Sequence, residues 1–452
     1  MGELFGTNGV RGVVGDDMTP ELALRLGRAI GTWSEGPVLV GTDTRTSGPM
    51  LRDALVAGIT SAGAEAVDAG VAPTPAIQYS VEETDYAAGA IVTASHNPPE
   101  FNGIKVCTGD GTEPVNDEVA DIEEIYFDES FPDLAWDSVG PRSEDPNVVD
   151  RYADAIVDEV GEDKLGDDPP TVVVDCANGP AGTVSPDVLR RLGAHVVAIN
   201  AQPDGSFPGH DSEPTPENLA STIQAVEAVD ADLGIAFDGD ADRCVFITGE
   251  GEYVPGERTL ALVAGAMVEN NDEGLVVTPV SSSQCVADHV ENAGGEVEYT
   301  AVGSPIVADV MQQRRALFGG EENGGLIFPD HQYCRDGTMT AAWVTKHVAD
   351  NDETLAEMLD EIPGYRLVKQ SVDCPDEAKD EVLERYTETV DADDVDTTDG
   401  VKVFRSEGWT LVRPSGTEPL MRVYAEARDH EQAAKLAKHA RADVQSIVDE
   451  VA

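Results

Sequence analysis

The sequence has very few basic residues for its length. Its 452 residues include 29 lysines and arginines against 87 aspartates and glutamates, which gives a formal net charge of −58 at pH 7. Lysine occurs only 8 times. Because a nucleic-acid-binding protein needs a basic face to meet the phosphates, this charge balance argues against DNA or RNA as a partner.

Long apolar runs and paired cysteines are also missing. No stretch approaches the roughly 18 apolar residues that cross a bilayer. The N-terminal "MGELFGTNGV" has no basic segment followed by an apolar one, so no secretory signal is expected. The six cysteines form no C-x-x-C pair, which argues against zinc and a disulfide framework and predicts reduced, mostly buried thiols. These absences predict a soluble cytoplasmic protein with no membrane partner.

The acidic residues are spread through otherwise ordinary amphipathic segments and are not gathered in one tail. Self-repulsion of this kind destabilises a compact chain at low ionic strength. Molar salt screens charges within about 3 Å. The sequence therefore favours the hypothesis of a halophilic protein, adapted to a cytoplasm of high salt concentration.

One pattern occurs three times, beginning near residues 37, 171 and 274: a Val-rich strand, a loop, a helix, a Gly turn and a second strand. This is a β-α-β unit, and it predicts three related α/β domains with parallel strands, although such units are common enough for the similarity to be generic. After a polar linker near 362–372, residues 401–428 are predicted to form strands and Glu431–Val451 a helix. The C-terminal part is therefore predicted to be a smaller α+β domain.

A serine next to a histidine follows the apolar run "AAGAIV", in the stretch "TASHNPP" (93–99). A serine hydroxyl is a weak nucleophile unless a base removes its proton or a transferable group is already attached. Adjacent residues on an extended strand point to opposite faces, so Ser95 and His96 are not expected to form a simple dyad. The stretch fits a plain strand-to-loop turn equally well. Lys105, in "FNGIKV", is either a cation for anionic oxygens or a strand-edge lysine.

Three carboxylates with small residues between them form the run "DGDADR", which follows the strand-like "ADLGIAF". Asp238, Asp240 and Asp242 lie at the carboxyl end of that strand, where open α/β sheets bind ligands. Small residues let such a loop curl around one hard cation. The alternative is a solvated charge run in an acidic chain. Three carboxylates with open positions left suit Mg²⁺, and the run lacks the Glu of a calcium hand, since position twelve is Gly249.

Three Gly-containing loops carry further candidates. In "GGEENGG", Glu321 and Asn323 offer acceptors for sugar hydroxyls, or form an ordinary hairpin turn. In "VRPSGTEP", Arg413 and the S-G-T run at 415–417 combine a guanidinium with hydroxyls and exposed backbone, which suits a phosphate without matching the ATP-binding P-loop. In "LFGTNGVRG", Arg11 lies among glycines and offers a cation for an anionic centre.

These motifs, in this order, resemble the α-D-phosphohexomutase family, which contains phosphoglucomutase, phosphomannomutase and phosphoglucosamine mutase. The stretch "TASHNPP" resembles its phosphoserine loop, "DGDADR" its magnesium loop, "GEENGG" its sugar-specificity loop and "RPSGTEP" its phosphate-binding loop. The resemblance implies four domains around a central cleft, three α/β and one smaller α+β. The implied domains are 1–148 with the phosphoserine loop, 149–250 with the metal loop, 251–363 with the sugar loop and 364–452 with the phosphate loop.

The resemblance also implies a role for each matching residue. The implied catalytic residues are Ser95 as phosphoserine, His96, Lys105 and Arg11. The implied ligands of one Mg²⁺ are Asp238, Asp240, Asp242 and an oxygen on Ser95. The implied substrate-binding residues are Arg243, Glu321, Asn323, Arg413, Ser415, Gly416 and Thr417.

The implied reaction interconverts a hexose 6-phosphate and a hexose 1-phosphate through a sugar bisphosphate, which also serves as activator. The opening "LFGTNGVRG" is most similar to the phosphoglucosamine mutase branch, and "GEENGG" to archaeal members. Asn323 and Gly325 stand where Ser and His are common, so broad phosphoglucomutase/phosphomannomutase activity is the alternative. A metal-dependent phosphatase and a non-catalytic sugar-phosphate binder are less favoured. A sugar phosphate is the expected partner, with a homodimer as one option.

Overall fold

The computed structural model describes residues 4–6, 9–161, 165–166, 168–351, 353–390, 395–406, 408–415 and 419–451. Four sheets form in this part of the chain, each with its own helices. None of the described helices is both long enough and apolar enough to cross a bilayer. All six cysteines are buried and unpaired, as predicted.

The first sheet has six strands in the order β1-β5-β4-β2-β3-β6. Its strands are β1 (Val10–Val13), β2 (Val38–Thr42), β3 (Ala66–Val71), β4 (Ala88–Val92), β5 (Phe101–Thr108) and β6 (Arg142–Glu144). Its helices are α1 (Pro20–Trp33), α2 (Gly48–Ser61), α3 (Thr74–Glu82) and α4 (Asn116–Asp128). Every residue of β2 and β4 is buried, as expected for central strands with both faces covered. Strand β5 runs antiparallel to β4, so the sheet is mixed and not purely parallel.

The second sheet has the order β11-β10-β9-β7-β8. Its strands are β7 (Thr171–Asp175), β8 (His195–Ile199), β9 (Leu233–Phe237), β10 (Cys244–Thr248) and β11 (Tyr253–Val254). Its helices are α5 (Val148–Val160), α6 (Ser185–Leu192), α7 (Ala220–Val229) and a 3₁₀ turn at Pro180–Thr183. Helix α5 also packs against α3 of the first unit, which ties the two units together.

The third sheet has the order β13-β12-β14-β15-β16. Its strands are β12 (Leu275–Pro279), β13 (Glu296–Thr300), β14 (Phe318–Gly320), β15 (Leu326–Phe328) and β16 (Gln332–Arg335). Its helices are α8 (Gly256–Asn271), α9 (Gln284–Asn292), α10 (Ser304–Arg314), α11 (Gly337–Asp350) and α12 (Leu355–Asp360).

The predicted repeat is present in the topology of these three sheets. In each, a central strand lies between two parallel neighbours, joined to one of them by the predicted β-α-β unit. The other neighbour then turns back through a hairpin into an antiparallel strand. The three hairpin loops contain Ser95, the Asp238–Asp242 run and Glu321 with Asn323. Repetition therefore places three of the candidate loops at the same point of three sheets.

The fourth sheet is entirely antiparallel, with the order β17-β21-β20-β19-β18. Its strands are β17 (Arg366–Asp373), β18 (Val395–Asp396), β19 (Val401–Arg405), β20 (Gly408–Pro414) and β21 (Leu420–Ala427). Its helices are α13 (Lys379–Thr389), α14 (His430–Val451) and a 3₁₀ turn at Asp376–Ala378. The predicted linker near 362–372 is wrong over most of its length. Backbone pairing of β17 with β21 makes this polar segment an edge strand.

The buried apolar side chains form several clusters that are distributed unevenly over the four units. One cluster of buried side chains includes Leu39 of the first unit, Val172 of the second and Phe318 of the third. The fourth unit has a separate core, which contains Val372, Val423 and Val444 among others. A smaller cluster joins the third and fourth units, because Val280 packs with Trp409 and Leu411. The fourth unit therefore has its own core and also shares buried apolar contacts with the third. The domain boundaries given above stay a prediction.

Candidate functional site

Ser95 lies three residues beyond β4, with its side chain fully buried. Its backbone φ is +52°, in the left-handed region that non-glycine residues seldom adopt. The Ser95 amide donates a hydrogen bond to Thr93 Oγ1 (2.9 Å), which stabilises this turn. Ser95 Oγ donates to Asp238 Oδ2 over 2.9 Å, from the first unit to the second. The loop thus aims the hydroxyl directly at the acidic run.

The geometry of His96 differs from the sequence-based expectation. Because the strand ends at Val92 and Ser95 has a positive φ, the two side chains do not point to opposite faces. His96 Nδ1 lies 3.4 Å from Ser95 Oγ. Burial, followed by the charges of Arg243 and Arg11, lowers the pKa of His96 to about 3, so its ring is neutral at pH 7. The premise against a Ser–His contact was wrong.

Arg45 holds the Ser95 loop in place, although the sequence did not single it out. Its guanidinium is fully buried and donates to four backbone carbonyls at distances from 2.6 to 3.0 Å. The carbonyls belong to Ser95, Asn97, Pro98 and Phe101. Nε of Arg45 also pairs with Asp43 (3.0 Å), which accepts from Thr93. The unusual turn is therefore fixed by one cation inside the first unit.

The acidic run lies in the hairpin between β9 and β10, with all three carboxylates buried. One oxygen from each of Asp238, Asp240 and Asp242 lies within 4.8 Å of the others. Gly239 is needed for this approach, because a Cβ there would lie 2.4 Å from the Ser95 carbonyl oxygen. The solvated charge run considered above is thus excluded by burial.

The carboxylate cluster fits one divalent cation. Asp240 Oδ1 and Asp242 Oδ1 are buried and have no hydrogen-bond partner, an arrangement that is costly unless something else compensates the charge. Burial and the neighbouring carboxylates raise the pKa of Asp238 well above its usual value, which reflects crowded negative charge. Three converging carboxylates beside a seryl oxygen form an all-oxygen donor set of the kind that Mg²⁺ prefers.

Cations surround the acidic cluster. Lys105 Nζ donates to Asp240 Oδ2 (2.8 Å) and Asp242 Oδ2 (2.7 Å). Burial lowers the pKa of Lys105, but the two carboxylates outweigh this and raise it, so the ammonium keeps its proton. Arg243 Nε lies 3.6 Å from Asp242 Oδ1. Arg11 donates to the Asn97 side chain (3.0 Å), while its Nε and Nη2 are buried and unpartnered. The cluster therefore offers free donors as well as free acceptors.

The candidate sugar loop is tied to the acidic cluster by a residue that the sequence did not reveal. Arg335, at the end of β16, donates from Nη1 to Glu321 Oε2 (3.0 Å) and from Nη2 to Asp242 Oδ2 (2.7 Å). Asn323 Oδ1 accepts from the Gly325 amide (3.1 Å), and its amide nitrogen lies 3.4 Å from Glu321 Oε2. Glu321 is thus brought to the centre, with Asn323 closing the turn behind it.

The candidate phosphate loop lies apart from this centre. Arg413 ends β20, where its Nη2 pairs with Asp399 Oδ2 (2.8 Å) and its Nε is buried and unpartnered. Ser415 follows and is buried. Gly416 and Thr417 lie outside the described residues. Asp399 also accepts from the amide of Val302 (3.0 Å), so this region is connected to the third unit through that contact.

Two further cations stand beside Arg413. Arg422 is its direct cross-strand neighbour and donates to Ser415 Oγ (3.3 Å). Lys379 donates to the Ser415 carbonyl (2.6 Å). Like charges directly opposite each other destabilise a strand pair, so this concentration of positive charge in an acidic chain points to an anion. The antiparallel pairing of β20 with β21 places Arg422 there, and no local sequence pattern indicates that register.

Family descriptions match most of the chain. "Phosphoglucomutase/phosphomannomutase, alpha/beta/alpha domain I" matches residues 2–133, the corresponding domain II description matches 150–251 and domain III matches 255–365. "Phosphoglucomutase/phosphomannomutase, C-terminal domain" matches residues 370–442. The order of the four matches is the order of the four sheets.

Whole-length relatives give the same assignment. A Methanopyrus kandleri protein called "Probable phosphoglucosamine mutase" is 45% identical, with 96% of each chain aligned. A Thermococcus kodakarensis "Phosphoglucomutase/phosphomannomutase" is 42% identical, again over 96% of each chain. A crystal structure of a phosphoglucomutase/phosphomannomutase family protein from Burkholderia thailandensis superposes with a TM-score of 0.88 at 28% identity, covering 98% of this chain and 97% of that one.

Proposed function

The chain belongs to the phosphoglucomutase/phosphomannomutase family and is a phosphohexomutase, and from this premise we propose that Ser95 carries the phosphoryl group that it exchanges with a hexose phosphate. The observation that carries the proposal is the contact between Ser95 Oγ and Asp238, at the edge of a buried cluster of three carboxylates. A left-handed backbone at a non-glycine residue is costly, and such strain is typically found at functional sites. A simple strand-to-loop turn would not explain a hydroxyl buried against this cluster.

The proposed reaction consists of two phosphoryl transfers. In the first, an oxygen of the sugar's free hydroxyl forms a bond to phosphorus while the bond to Ser95 Oγ breaks. The sugar hydroxyl loses a proton and the Ser95 oxygen gains one. The resulting bisphosphate turns over in the cleft, and its other phosphoryl group returns to Ser95 by the reverse exchange. The product is the isomeric monophosphate, with the phosphoserine restored.

We assign the proton transfers to Lys105 and His96. Lys105 keeps its proton beside Asp240 and Asp242, so it fits a donor and a stabiliser of negative charge. His96 Nδ1 lies 3.4 Å from Ser95 Oγ, so it is placed to exchange a proton with that oxygen or to stabilise a phosphoryl group on it. Arg11 is held to the Ser95 loop through Asn97, with two donors left for phosphoryl oxygens. Arg243 lines the same centre.

Asp238, Asp240 and Asp242 would hold one Mg²⁺ with an oxygen carried on Ser95. When bound, the ion stabilises charge on the transferring phosphoryl group. The residues around the cation site have a separate role: they exclude water and fix the direction of the Ser95 hydroxyl. Exclusion of water protects a phosphoenzyme from hydrolysis.

The phosphate loop would hold the phosphate that does not react. Arg413, Ser415, Gly416 and Thr417 are proposed to bind it, with Lys379 and Arg422 adding charge at the same place. A guanidinium with two prongs suits a phosphate group. Two separate anion sites are what a mutase needs and a simple phosphatase does not. This separation favours the mutase over hydrolysis or passive binding.

We propose glucosamine 6-phosphate as the substrate, with glucosamine 1-phosphate as the product. The relative from Methanopyrus kandleri carries the name of that activity, and Glu321 offers a carboxylate to a cationic amino sugar. The alternative, a phosphoglucomutase/phosphomannomutase of broad specificity, is supported by the name of the Thermococcus kodakarensis relative. The cytoplasmic location, the halophilic character and a homodimer stay predictions.

A comparison of three substrates tests the proposal. The purified protein is given glucosamine, glucose or mannose 6-phosphate with Mg²⁺, molar KCl and a catalytic amount of a sugar 1,6-bisphosphate. We expect isomerisation that depends on the bisphosphate, with the highest kcat/KM for glucosamine 6-phosphate. A higher kcat/KM for glucose or mannose would support the alternative, while release of inorganic phosphate without isomerisation would contradict the mutase.

A further inference from the structure

The sugar loop of this chain ends in two glycines, Gly324 and Gly325, and carries no basic side chain of its own. The structure shows a cation in that region. The side chain of Arg335 comes from β16, a strand that follows the loop along the chain and pairs with β15. Arg335 is 3% exposed, in a chain that uses only 29 basic residues. Burying a charged side chain is costly unless it is paired and hydrogen-bonded, so specific partners are expected for Arg335.

One guanidinium connects two functional loops. Nη1 of Arg335 donates to Glu321 in the sugar loop, and Nη2 donates to Asp242 in the metal loop. Both contacts are charge-assisted and buried, which makes them strong and directional. The three side chains are 2%, 7% and 2% exposed respectively, so solvent does not screen the pairs. One side chain therefore holds a carboxylate of each loop.

The stem of Arg335 occupies the space that a side chain at position 325 would need. A Cβ on residue 325 would lie 2.3 Å from Cδ of Arg335 and 3.0 Å from its Cγ. It would also lie 3.1 Å from Asn323 Oδ1, which closes the turn. No residue with a side chain fits at 325 while Arg335 keeps this position. Gly325 and Arg335 are therefore parts of one arrangement.

We propose that Arg335 is a positioning residue that orients Glu321 for the sugar and restrains Asp242 at the cation site, and that Gly325 is required to let it pass. The inference rests on the proposed function, because Glu321 is taken to contact the sugar. It assigns the selectivity of the loop to a residue outside the loop.

Arg335 should affect the two ligands in opposite directions. Its positive charge lies against a carboxylate that would bind a divalent cation, so it competes with the ion. Its other prong orders Glu321, so it assists the sugar. Removal of the guanidinium is then expected to tighten cation binding and weaken sugar binding. A residue with a merely structural role would weaken both when removed.

The test uses the full-length protein with four substitutions. Arg335→Met removes the charge and Arg335→Lys keeps it without the fork. Gly325→Ala pushes the arginine aside, and Gly364→Ala is the matched control, because a Cβ at Gly364 meets no atom within 4 Å. The free protein is titrated with Mn²⁺, observed by electron paramagnetic resonance, and KM and kcat are measured for glucosamine 6-phosphate.

For Arg335→Met we expect Mn²⁺ to bind about 3- to 10-fold more tightly, because one unit charge is removed near the ion. KM should rise about 10-fold or more, as charge-assisted hydrogen bonds to the oriented carboxylate are lost. Arg335→Lys should raise KM while leaving Mn²⁺ binding within about twofold of the original, since the charge remains. Gly325→Ala should raise KM, and Gly364→Ala should change neither quantity.

Weaker Mn²⁺ binding in a folded Arg335→Met protein, or an unchanged KM in Arg335→Lys and Gly325→Ala, would overturn the inference. If Arg335→Met does not fold, as judged by circular dichroism, the other two variants decide the matter through KM. Failure of the proposed function is distinguishable: the unsubstituted protein would then bind Mn²⁺ but isomerise none of the sugar phosphates.

Discussion

The two places where this molecule is proposed to hold phosphate are built differently. At the reacting centre, Ser95, Asp238 and Lys105 are fully or almost fully buried, and each is fixed by partners from another unit of the chain. At the phosphate loop, Arg413 is half-buried and its described ion-pair partner is Asp399, which lies between β18 and β19 of the same unit. The first is a closed network, the second a half-open set of cations.

The difference matches what each place has to do. Charge developing in a transition state is stabilised best by groups that need not rearrange. In the proposed reaction, the loop that anchors the other phosphate has to release it, because the bisphosphate turns over before the second transfer. Catalysis and anchoring should therefore respond differently to substitution.

The largest effect is expected at the metal loop. Asp240→Asn removes one ligand charge from a buried cluster, and we expect kcat to fall about 1,000-fold with much less change in KM, because the loss applies mainly to the transition state. Steady-state kinetics at saturating Mg²⁺ checks this. Asp230→Asn, at the exposed end of α7, is the control. A full rate in the Asp240 variant would show that the acidic run is not part of the reacting centre.

A smaller and different effect is expected at the phosphate loop. Arg413→Met should raise KM about 10- to 50-fold, equivalent to roughly 1.4–2.3 kcal/mol, with kcat reduced much less, because the anchoring contact is made in ground and transition states alike. Arg405→Met, on the exposed end of β19, serves as the matched control. If kcat fell as far as in Asp240→Asn, the distinction between catalysis and anchoring would not hold.

The rigidity of the reacting centre is expected to depend on Arg45. Arg45→Met leaves four carbonyls and the buried Asp43 without their cation, so we expect a loss of about 3 kcal/mol of stability. Burial already raises the pKa of Asp43 to about 6, which shows how costly its charge is there. Differential scanning calorimetry measures the loss. Arg52→Met, which removes two more exposed ion pairs, should cost less than about 1 kcal/mol. Equal losses of stability in the two variants would show that the buried contacts of Arg45 contribute no more than exposed ion pairs.

A change in salt concentration should distinguish the reacting centre from the phosphate loop least of all, because acidic residues cover the whole molecule. Most described acidic side chains are exposed or half-buried, and their repulsion is relieved by ions. We expect Tm to rise by several degrees between 0.1 M and 2 M KCl, with the fourth unit and the rest shifting together. The same Tm in both solutions would contradict the halophilic hypothesis.

The sequence was enough to predict the repeat, the four-domain architecture and the position of Ser95 and the acidic run at strand ends. It predicted these because strands and hairpin loops leave local patterns. It did not reveal Arg45 or Arg335, because most of their partners are distant along the chain. Apart from Asp43, the partners of Arg45 lie 50 or more positions away, and those of Arg335 lie 14 and 93 positions away. Arg45 lies three residues beyond β2 and two after Asp43, and Arg335 ends β16 next to Asp336. A basic residue near an aspartate at a strand end was therefore an available signal in so acidic a chain.

Local geometry was predicted less well than topology. The Ser95–His96 contact depends on one residue with positive φ, which alternation along a strand does not anticipate. The polar segment 366–373 becomes a strand only through its pairing with β21. Arg422 comes to lie opposite Arg413 for the same reason, by register across an antiparallel pair. Long-range pairing determined each of these outcomes.

The most direct test is to follow the phosphoryl group itself. The protein is incubated with glucose 1,6-bisphosphate, and one sample is then chased with glucosamine 6-phosphate. Both samples are digested, and their peptides are analysed by mass spectrometry. We predict one phosphorylated site, Ser95, which appears with the bisphosphate, exchanges during the chase and is absent in a folded Ser95→Ala variant that has lost isomerase activity. Phosphate on another residue, or full activity in Ser95→Ala, would contradict the account.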